Sequence, residues 1–395
     1  MPKFGSGRLI IAGNNSNTST TATTIGGGIL QVSSNFGLGN QTVGGAISLQ
    51  GGTFVGDTTG GSFALNNSGV NHRNVTVGLT GGGIDVIGGN TLTVSGVISS
   101  TTTGTTGTYS APLTLGSGTT SGTIVLSGTN TYTGGTILRG GTVEIQNAAA
   151  LGNYALGTAG QANNYVQFTG GTLRYGTGVT TDLAQRIRYS TSAANINTNG
   201  QNITFANEVD YTNTGGLAKL GAGILTLSGS NTYSGATAVT TGTLIVGGTI
   251  GASSAVTVAS GAQIGGDGII NGNLTLSTGA RFVFDLNDTP LTVGGTFTLD
   301  SAFGVNSLVQ ADGTAVDWSS VAFGTYTLIS TSFVFNDTNI QNFGLANRAT
   351  GLGGGREAYF ANGSLDLIVV PEPSTWALLA AAGTVLMITR RRRQS

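Results

Sequence analysis

The sequence predicts an all-β protein: a right-handed parallel β-helix, a solenoid, closed by a β-rich C-terminal cap and followed by a short C-terminal transmembrane helix. Three observations predict it. Glycine supplies 69 of 395 residues while charged residues make up only 8%, against roughly 7% and 25% in ordinary domains. The 38% apolar content is spread through short alternating runs, whereas disordered chains are depleted in such residues. Finally, "GTIVLSGTNTYTGGTILRGGTVEI" (122–145) aligns without a gap on "GILTLSGSNTYSGATAVTTGTLIV" (223–246) at an offset of 101, with 11 of 24 positions identical.

Each copy carries two apolar pairs 19 residues apart: Ile124 and Leu126 with Val143 and Ile145, then Leu225 and Leu227 with Leu244 and Val246. A spacing of two puts both members of a pair on one face of a strand, and the fixed return places the next strand directly above it. A looser copy opens the chain, where Leu9 and Ile11 answer Leu30 and Val32. Between the copies, "ISLQGGTF" (47–54) is similar to "VQFTGGTL" (166–173), and "GGNTLTVSGVI" (88–98) to "TNGQNITFANEV" (198–209). Residues 1–280 are therefore expected to form the β-helix, with its best copies at 122–145 and 217–246. At ~4.8 Å per rung and roughly 20 residues per rung, residues 5–280 would give a rod of about 65 Å. Glycine serves the corners, where φ is positive, and Asn and Thr bond between equivalent turns.

From about residue 281 aromatics increase and glycine thins, although alternation persists; residues 281–369 are read as a β-rich cap that shields the last open rung. Residues 370–395 differ from everything before them. Pro371, Glu372 and Pro373 precede an apolar stretch over 376–389, including Trp376, Leu378, Leu379, Val385, Leu386, Met387 and Ile388, and then the cluster Arg390, Arg391, Arg392 and Arg393. At 1.5 Å per residue this helix is roughly 21 Å long, short against a ~30 Å hydrocarbon core.

The absence of cysteine rules out a disulfide framework, and His72 is the single histidine. No cofactor and no metal site are expected. Setting the four terminal arginines aside leaves eleven basic against sixteen acidic residues, −5 over residues 1–389, which does not suit nucleic acid. The start, "MPKFGSGRLIIAGNNSN", holds no apolar run long enough for a signal peptide, so the given N-terminus is expected to be truncated or misassigned. For catalysis the closest carboxylate pairs are Glu208 with Asp210, expected on one strand face, and Asp285 with Asp288. Scattered pairs like these are read as surface charges. His72 is read as part of a polar turn, "GGDG" at 265–268 as a tight turn rather than a calcium repeat, and Lys219 as a rung-corner residue. Tyr132 and Tyr233, at equivalent positions, either stack on each other's ladder or form a platform for sugars. T-x-T rows that could order ice do not persist from rung to rung.

The stretch "LAKLGAGILTLSGSNTYSGATAVTTGTLIV" (217–246) resembles the autotransporter-associated β-strand repeat family, with a good further match at 122–145 and a degenerate one near the N-terminus. The resemblance implies an extracellular β-helix and no particular activity. A true autotransporter ends in a large membrane barrel, for which this chain has no pattern, so self-export is not expected. The ending resembles a PEP-CTERM sorting signal, with Pro371, Glu372 and Pro373 as its motif. That resemblance implies transient insertion in the inner membrane and processing by an exosortase, a membrane protease. The positive-inside rule keeps Arg390–Arg393 in the cytoplasm and the body outside, finally at the cell envelope surface or in the extracellular matrix. The function expected is a non-enzymatic surface or matrix protein for adhesion, with an exopolysaccharide or biofilm as its setting. The alternative is a polysaccharide lyase or glycoside hydrolase built on the same fold.

Overall fold

The computed structural model describes residues 1–13, 22–39, 45–67, 71–101, 111–118, 122–152, 164–285, 289–300, 302–331, 339–361 and 365–372. The chain divides into two compact units, Met1–Thr237 and Ala238–Ser395. Among the described residues there are strands and short 3-10 turns but no α-helix, and no helix is long and apolar enough to cross a membrane. The apolar segment 376–389 lies outside the described residues.

In the first unit the strands fall into parallel sheets whose partners are not neighbours in sequence. One sheet runs through Pro2–Lys3, Thr23–Ile25, Ile47–Leu49, Val75–Val77 and Ile98–Ser100. A second runs from Arg8–Ile11 through Ile29–Val32, Thr53–Asp57, Gly82–Ile87, Leu113–Leu115 and Thr136–Leu138 to Val166–Phe168. A third takes Phe63–Ala64, Thr91–Val94, Thr123–Leu126, Thr142–Ile145, Thr172–Tyr175, Ala194–Asn197 and Leu217–Leu220. Register follows the apolar pairs of the sequence: Ile124 faces Val143 and Leu126 faces Ile145, while Leu9 faces Leu30 and Ile11 faces Val32.

The core is a set of inward rows. In the second sheet Leu30, Phe54, Ile84, Leu115, Leu138 and Phe168 stack one above the next, each at most 1% exposed. Burying such a side chain stabilises by roughly 1.5–3 kcal/mol.

Each copy of the recurring sequence makes one full turn, since its first strand pairs with its last, Arg8–Ile11 with Ile29–Val32 and Thr123–Leu126 with Thr142–Ile145, and glycine turns form its corners. These corners join different sheets along the unit. Thr23–Ile25 and Ile29–Val32 turn from the first sheet to the second. Thr136–Leu138 and Thr142–Ile145 turn from the second to the third. Leu217–Leu220 and Ile224–Leu227 leave the third for a new pairing with Ile203–Phe205. Glycine is required where these corners of successive rungs nest: a Cβ on Gly140 would lie 1.8 Å from the Ser117 carbonyl oxygen, and Gly116, at φ +78°, would put one 2.1 Å from that of Gly140.

Lys219 is not at a rung corner. It occupies the inward row, directly over Ile196, and is 0% exposed. Its ammonium reaches back to the corner, where Nζ donates to the carbonyls of Leu220 at 3.1 Å and Gly221 at 2.7 Å. Lys3, in the opening copy, does the same with Phe4 at 3.0 Å, Gly5 at 2.8 Å and Gly27 at 3.1 Å. The K-x-G-x-G stretch thus encodes an internal clamp on the carbonyls of the turn.

The second unit pairs Val256–Val258 with Leu274–Leu276 and Phe297–Leu299, and Thr243–Val246 with Gln263–Gly265, Arg281–Val283 and Leu308–Val309, all in parallel. Parallel stacking therefore runs past residue 281. An antiparallel sheet of Gly324–Thr327, Asp366–Pro371 and Arg356–Phe360 follows.

Two measurements check this account. Leu126→Ala is expected to cost about 2–5 kcal/mol in urea unfolding, because Leu126 is enclosed by Val94 and Ile145 in its row. Burial pushes the Lys219 ammonium down to about 8 from an ordinary 10.5. Between those values the unfolded chain binds more protons than the folded one, so stability rises with pH across that window. The unfolding free energy of wild type minus that of Lys219→Met is expected to climb from about pH 8 upward; a flat difference would remove the desolvated ammonium from the account.

Candidate functional site

The residues nominated by sequence are mostly spent on the fold. Tyr132 and Tyr233 are 1% exposed, and each hydroxyl pairs with a threonine four residues on, Thr136 and Thr237, at 2.6 Å. Both are core residues, closed to sugars. The asparagines two positions earlier are core as well. Asn130 Oδ1 accepts from the Ile98 amide at 2.7 Å and Asn231 Oδ1 from that of Val209 at 3.0 Å, so each stitches its rung to the one before.

Glu208 and Asp210 flank buried Val209 outside any strand, which corrects the strand face expected for them. They turn to different rungs: Asp210 pairs with Arg188 at 3.6 Å and accepts from the Thr212 amide at 3.0 Å, whereas Glu208 accepts from the Thr232 hydroxyl. His72 lies in a two-residue strand, Asn71–His72, antiparallel to Asn66–Asn67, rather than in a polar turn, and its Nδ1 is 2.9 Å from Ser95 Oγ. In "GGDG", Gly265 ends a strand and Gly266 turns at φ +111°, where a Cβ would meet the Val246 carbonyl at 2.3 Å. No group of three or more His, Asp or Glu among the described residues is placed to hold a metal.

Asp285 lines a cleft of about 320 Å³ in the second unit, with Asp317, Gln310 and Phe284 among its walls; Asp288 lies outside the described residues. Asp317 is engaged as a cap, accepting from the Ser319 amide at 3.0 Å and hydroxyl at 2.6 Å. The Ser319 hydroxyl bond holds its carboxyl below the usual carboxylate range, and hence ionised. Such a cleft can accept hydrogen bonds from a ligand, but it brings no base and acid into a defined relation.

Outward rows of hydroxyls do form. Thr91, Thr123, Thr142 and Thr172 stack in register, while the column beside them reads Thr93, Val125, Glu144 and Arg174. A two-column T-x-T array is therefore not continued, and Arg174 pairs with Glu144 instead.

One surface feature was not nominated by the sequence. Tyr165, Tyr189 and Tyr211 sit on three successive rungs near one corner of the first unit. Tyr165 and Tyr189 meet edge to face at 5.4 Å, and Tyr189 and Tyr211 are 45% and 75% exposed. The available signal was their spacing of 24 and 22 residues in polar settings, "NNYVQF", "IRYST" and "VDYTNT". Of the C-terminal motif, Pro371 closes the strand Asp366–Pro371 and the Glu372 amide donates to the Gly355 carbonyl at 2.9 Å. Pro373 and everything after it, including Trp376, Leu378, Leu379, Val385–Ile388 and Arg390–Arg393, lie outside the described residues.

With this geometry in view, three segments, residues 3–32, 121–145 and 217–246, match the passenger-associated-transport-repeat family. Over 245 residues, 58% of this chain, the sequence is 32% identical to the adhesin BmaC autotransporter of Brucella suis biovar 1 (strain 1330). The matched region spans 6% of that protein's length. No solved structure matches the chain. The matched segments contain the buried lysines Lys3 and Lys219, the asparagines Asn130 and Asn231 and the tyrosines Tyr132 and Tyr233, and the chain carries autotransporter-associated β-strand repeats.

Proposed function

We propose that this chain is an exported, adhesin-like surface protein whose repeats build a right-handed parallel β-solenoid. The observation that carries the reading is how the repeat residues are used: in the matched segments Lys3, Lys219, Asn130 and Asn231 are turned inward and bonded to backbone, and Tyr132 and Tyr233 are buried against threonine hydroxyls, so these residues supply scaffold and recognition is left to outward positions. Similarity to a named autotransporter adhesin supports the surface setting. The right hand follows from the strong preference of parallel crossovers for that sense.

The C-terminal signal adds the route. On this reading Pro371, Glu372 and Pro373 form a PEP-CTERM motif, the 376–389 helix enters the inner membrane transiently, Arg390–Arg393 remain cytoplasmic, and an exosortase removes the tail. The body then joins the cell envelope surface or the extracellular matrix, where an exopolysaccharide is its partner. It works by binding, without turnover.

The test is a tag in the 310–315 loop, expression in the host cell, and the intact mass and location of the product. A surface or secreted species ending near the Pro-Glu-Pro motif is the expected result; a soluble cytoplasmic protein with its tail intact would overturn the proposal. As a check on the absence of turnover, Glu208→Gln and Asp285→Asn are expected to leave surface binding within about twofold, since surface substitutions of this kind usually move free energies by less than ~0.5 kcal/mol.

A further inference from the structure

We infer that Tyr165, Tyr189 and Tyr211 form a binding strip for a neutral polysaccharide. The inference deepens the surface-binding reading and rests on it for where the ligand is met. The strip is fixed from behind by the rungs themselves. The Thr136 amide donates to the Tyr165 carbonyl at 2.7 Å, Gln167 Nε2 donates to the Tyr189 carbonyl at 2.8 Å, and the Tyr189 amide donates to Thr212 Oγ1 at 3.1 Å. The last bond, with the Arg188–Asp210 pair at 3.6 Å, sets Tyr211 one rung beyond Tyr189. Tyr165 lies over Gly135, where a Cβ would come 2.5 Å from its ring, so the base of the strip is cut to fit an aromatic.

The backbone gives an independent reason to assign a role to Tyr189. It lies at φ +58°, in the left-handed region that a bulky L-residue enters at a cost and that Gly or Asn enters readily. At Asn199 the same fold solves the same problem, φ +51°, with an asparagine. Retaining a tyrosine at Tyr189, a residue 45% exposed whose ring meets only the edge-to-face contact of Tyr165 among the aromatic pairs of the described residues, carries a backbone cost that an asparagine would avoid. Strain of this kind concentrates at recognition sites.

The surroundings select the occupant. Gln167 and Thr212 bond the Tyr189 backbone, and Arg188 and Asp210 adjoin Tyr189 and Tyr211 in sequence; these are amide, hydroxyl, guanidinium and carboxylate groups suited to the hydroxyls of a sugar ring. Tyrosine offers its apolar face to the sugar C–H groups and its hydroxyl to solvent. Arg188 and Asp210 neutralise each other, so the strip carries no field for an acidic polymer, and a neutral one fits. A second protein copy would need ~800 Å² of complementary surface with an apolar centre; the exposed large apolar residues here are the two rings, Tyr189 and Tyr211, set among polar groups. Tyr165 stands edge to face against Tyr189 and buttresses it, and the exposed residues Tyr189 and Tyr211 are one rung apart, ~4.8 Å, comparable with the length of one pyranose residue.

The experiment is native affinity electrophoresis of the full chain through gels containing hydroxyethylcellulose, laminarin or dextran, with polygalacturonate as the acidic comparator. The test variant is Tyr189→Asn with Tyr211→Ser. Asparagine relieves the backbone at Tyr189, so the melting temperature should not fall and lost binding cannot be ascribed to misfolding. Retardation of wild type by at least one neutral glucan, weakened tenfold or more in the double variant and retained in Tyr189→Phe, is the expected result. Wild type unretarded by every neutral glucan, retarded only by polygalacturonate, or matched by the double variant would overturn the inference. The last outcome, in a protein found at the cell surface, removes the strip and leaves the surface reading standing. Strip-dependent retardation in a protein found confined to the cytoplasm removes the surface reading and leaves the strip.

Discussion

Everything in the first unit depends on one constraint: each rung must place its inward pair directly over the pair before it. Parallel strands share no local turn that fixes their register, and a slip of one residue would turn every apolar side chain outward. Here the register is held twice. The apolar rows, such as Leu30, Phe54, Ile84, Leu115, Leu138 and Phe168, reward alignment by burial. Buried polar groups enforce it by direction, since Asn130 and Asn231 reach their partner amides on the previous rung only when the rungs are in step.

The corner is where that constraint is hardest to meet. A chain turning between sheets crowds carbonyls at a low-dielectric corner, where groups left unsatisfied are costly. Lys3 and Lys219 solve it with an ammonium drawn inward. Glycine solves the steric half, because nested corners leave no room for a Cβ at Gly116 or Gly140. Since both solutions are local to the corner, the motif that encodes them can move. Along the first unit it passes from one pair of sheets to the next, and the rungs remain continuous because only the position of the tight turn has changed.

That mobility explains how much the sequence disclosed. The inward pairs and their 19-residue return were legible because burial writes a period of two directly into residue types. Ile124 over Val143 and Leu126 over Ile145 needed no further knowledge. Which sheet a copy occupies was not legible, because 122–145 and 217–246 read alike while turning different corners. The sequence places Lys219 at a rung corner, whereas its backbone lies in the inward row and only its ammonium reaches the corner, because only the folded turn reveals the carbonyls it serves. The repetition of Tyr132 and Tyr233 favours packing over a platform for sugars, and both are buried. Repetition marked a structural role, and the exposed rings were the ones the repeat does not specify.

The last point reaches beyond tyrosine. In a parallel stack, inward and outward residues alternate, so the positions that secure register and the positions that meet solvent belong to separate sets. A residue that repeats from copy to copy is answering the demand of the core, which is the same at every rung. A residue that departs from the repeat and yet sits where the backbone disfavours it answers to something else. Tyr189 is such a residue: its amide and carbonyl are tied to neighbouring rungs as any corner residue's would be, while its side chain gains nothing from the core and its φ of 58° works against it. In a scaffold whose matched repeats spend their polar chemistry on their own corners, recognition falls to those outward, non-repeating positions.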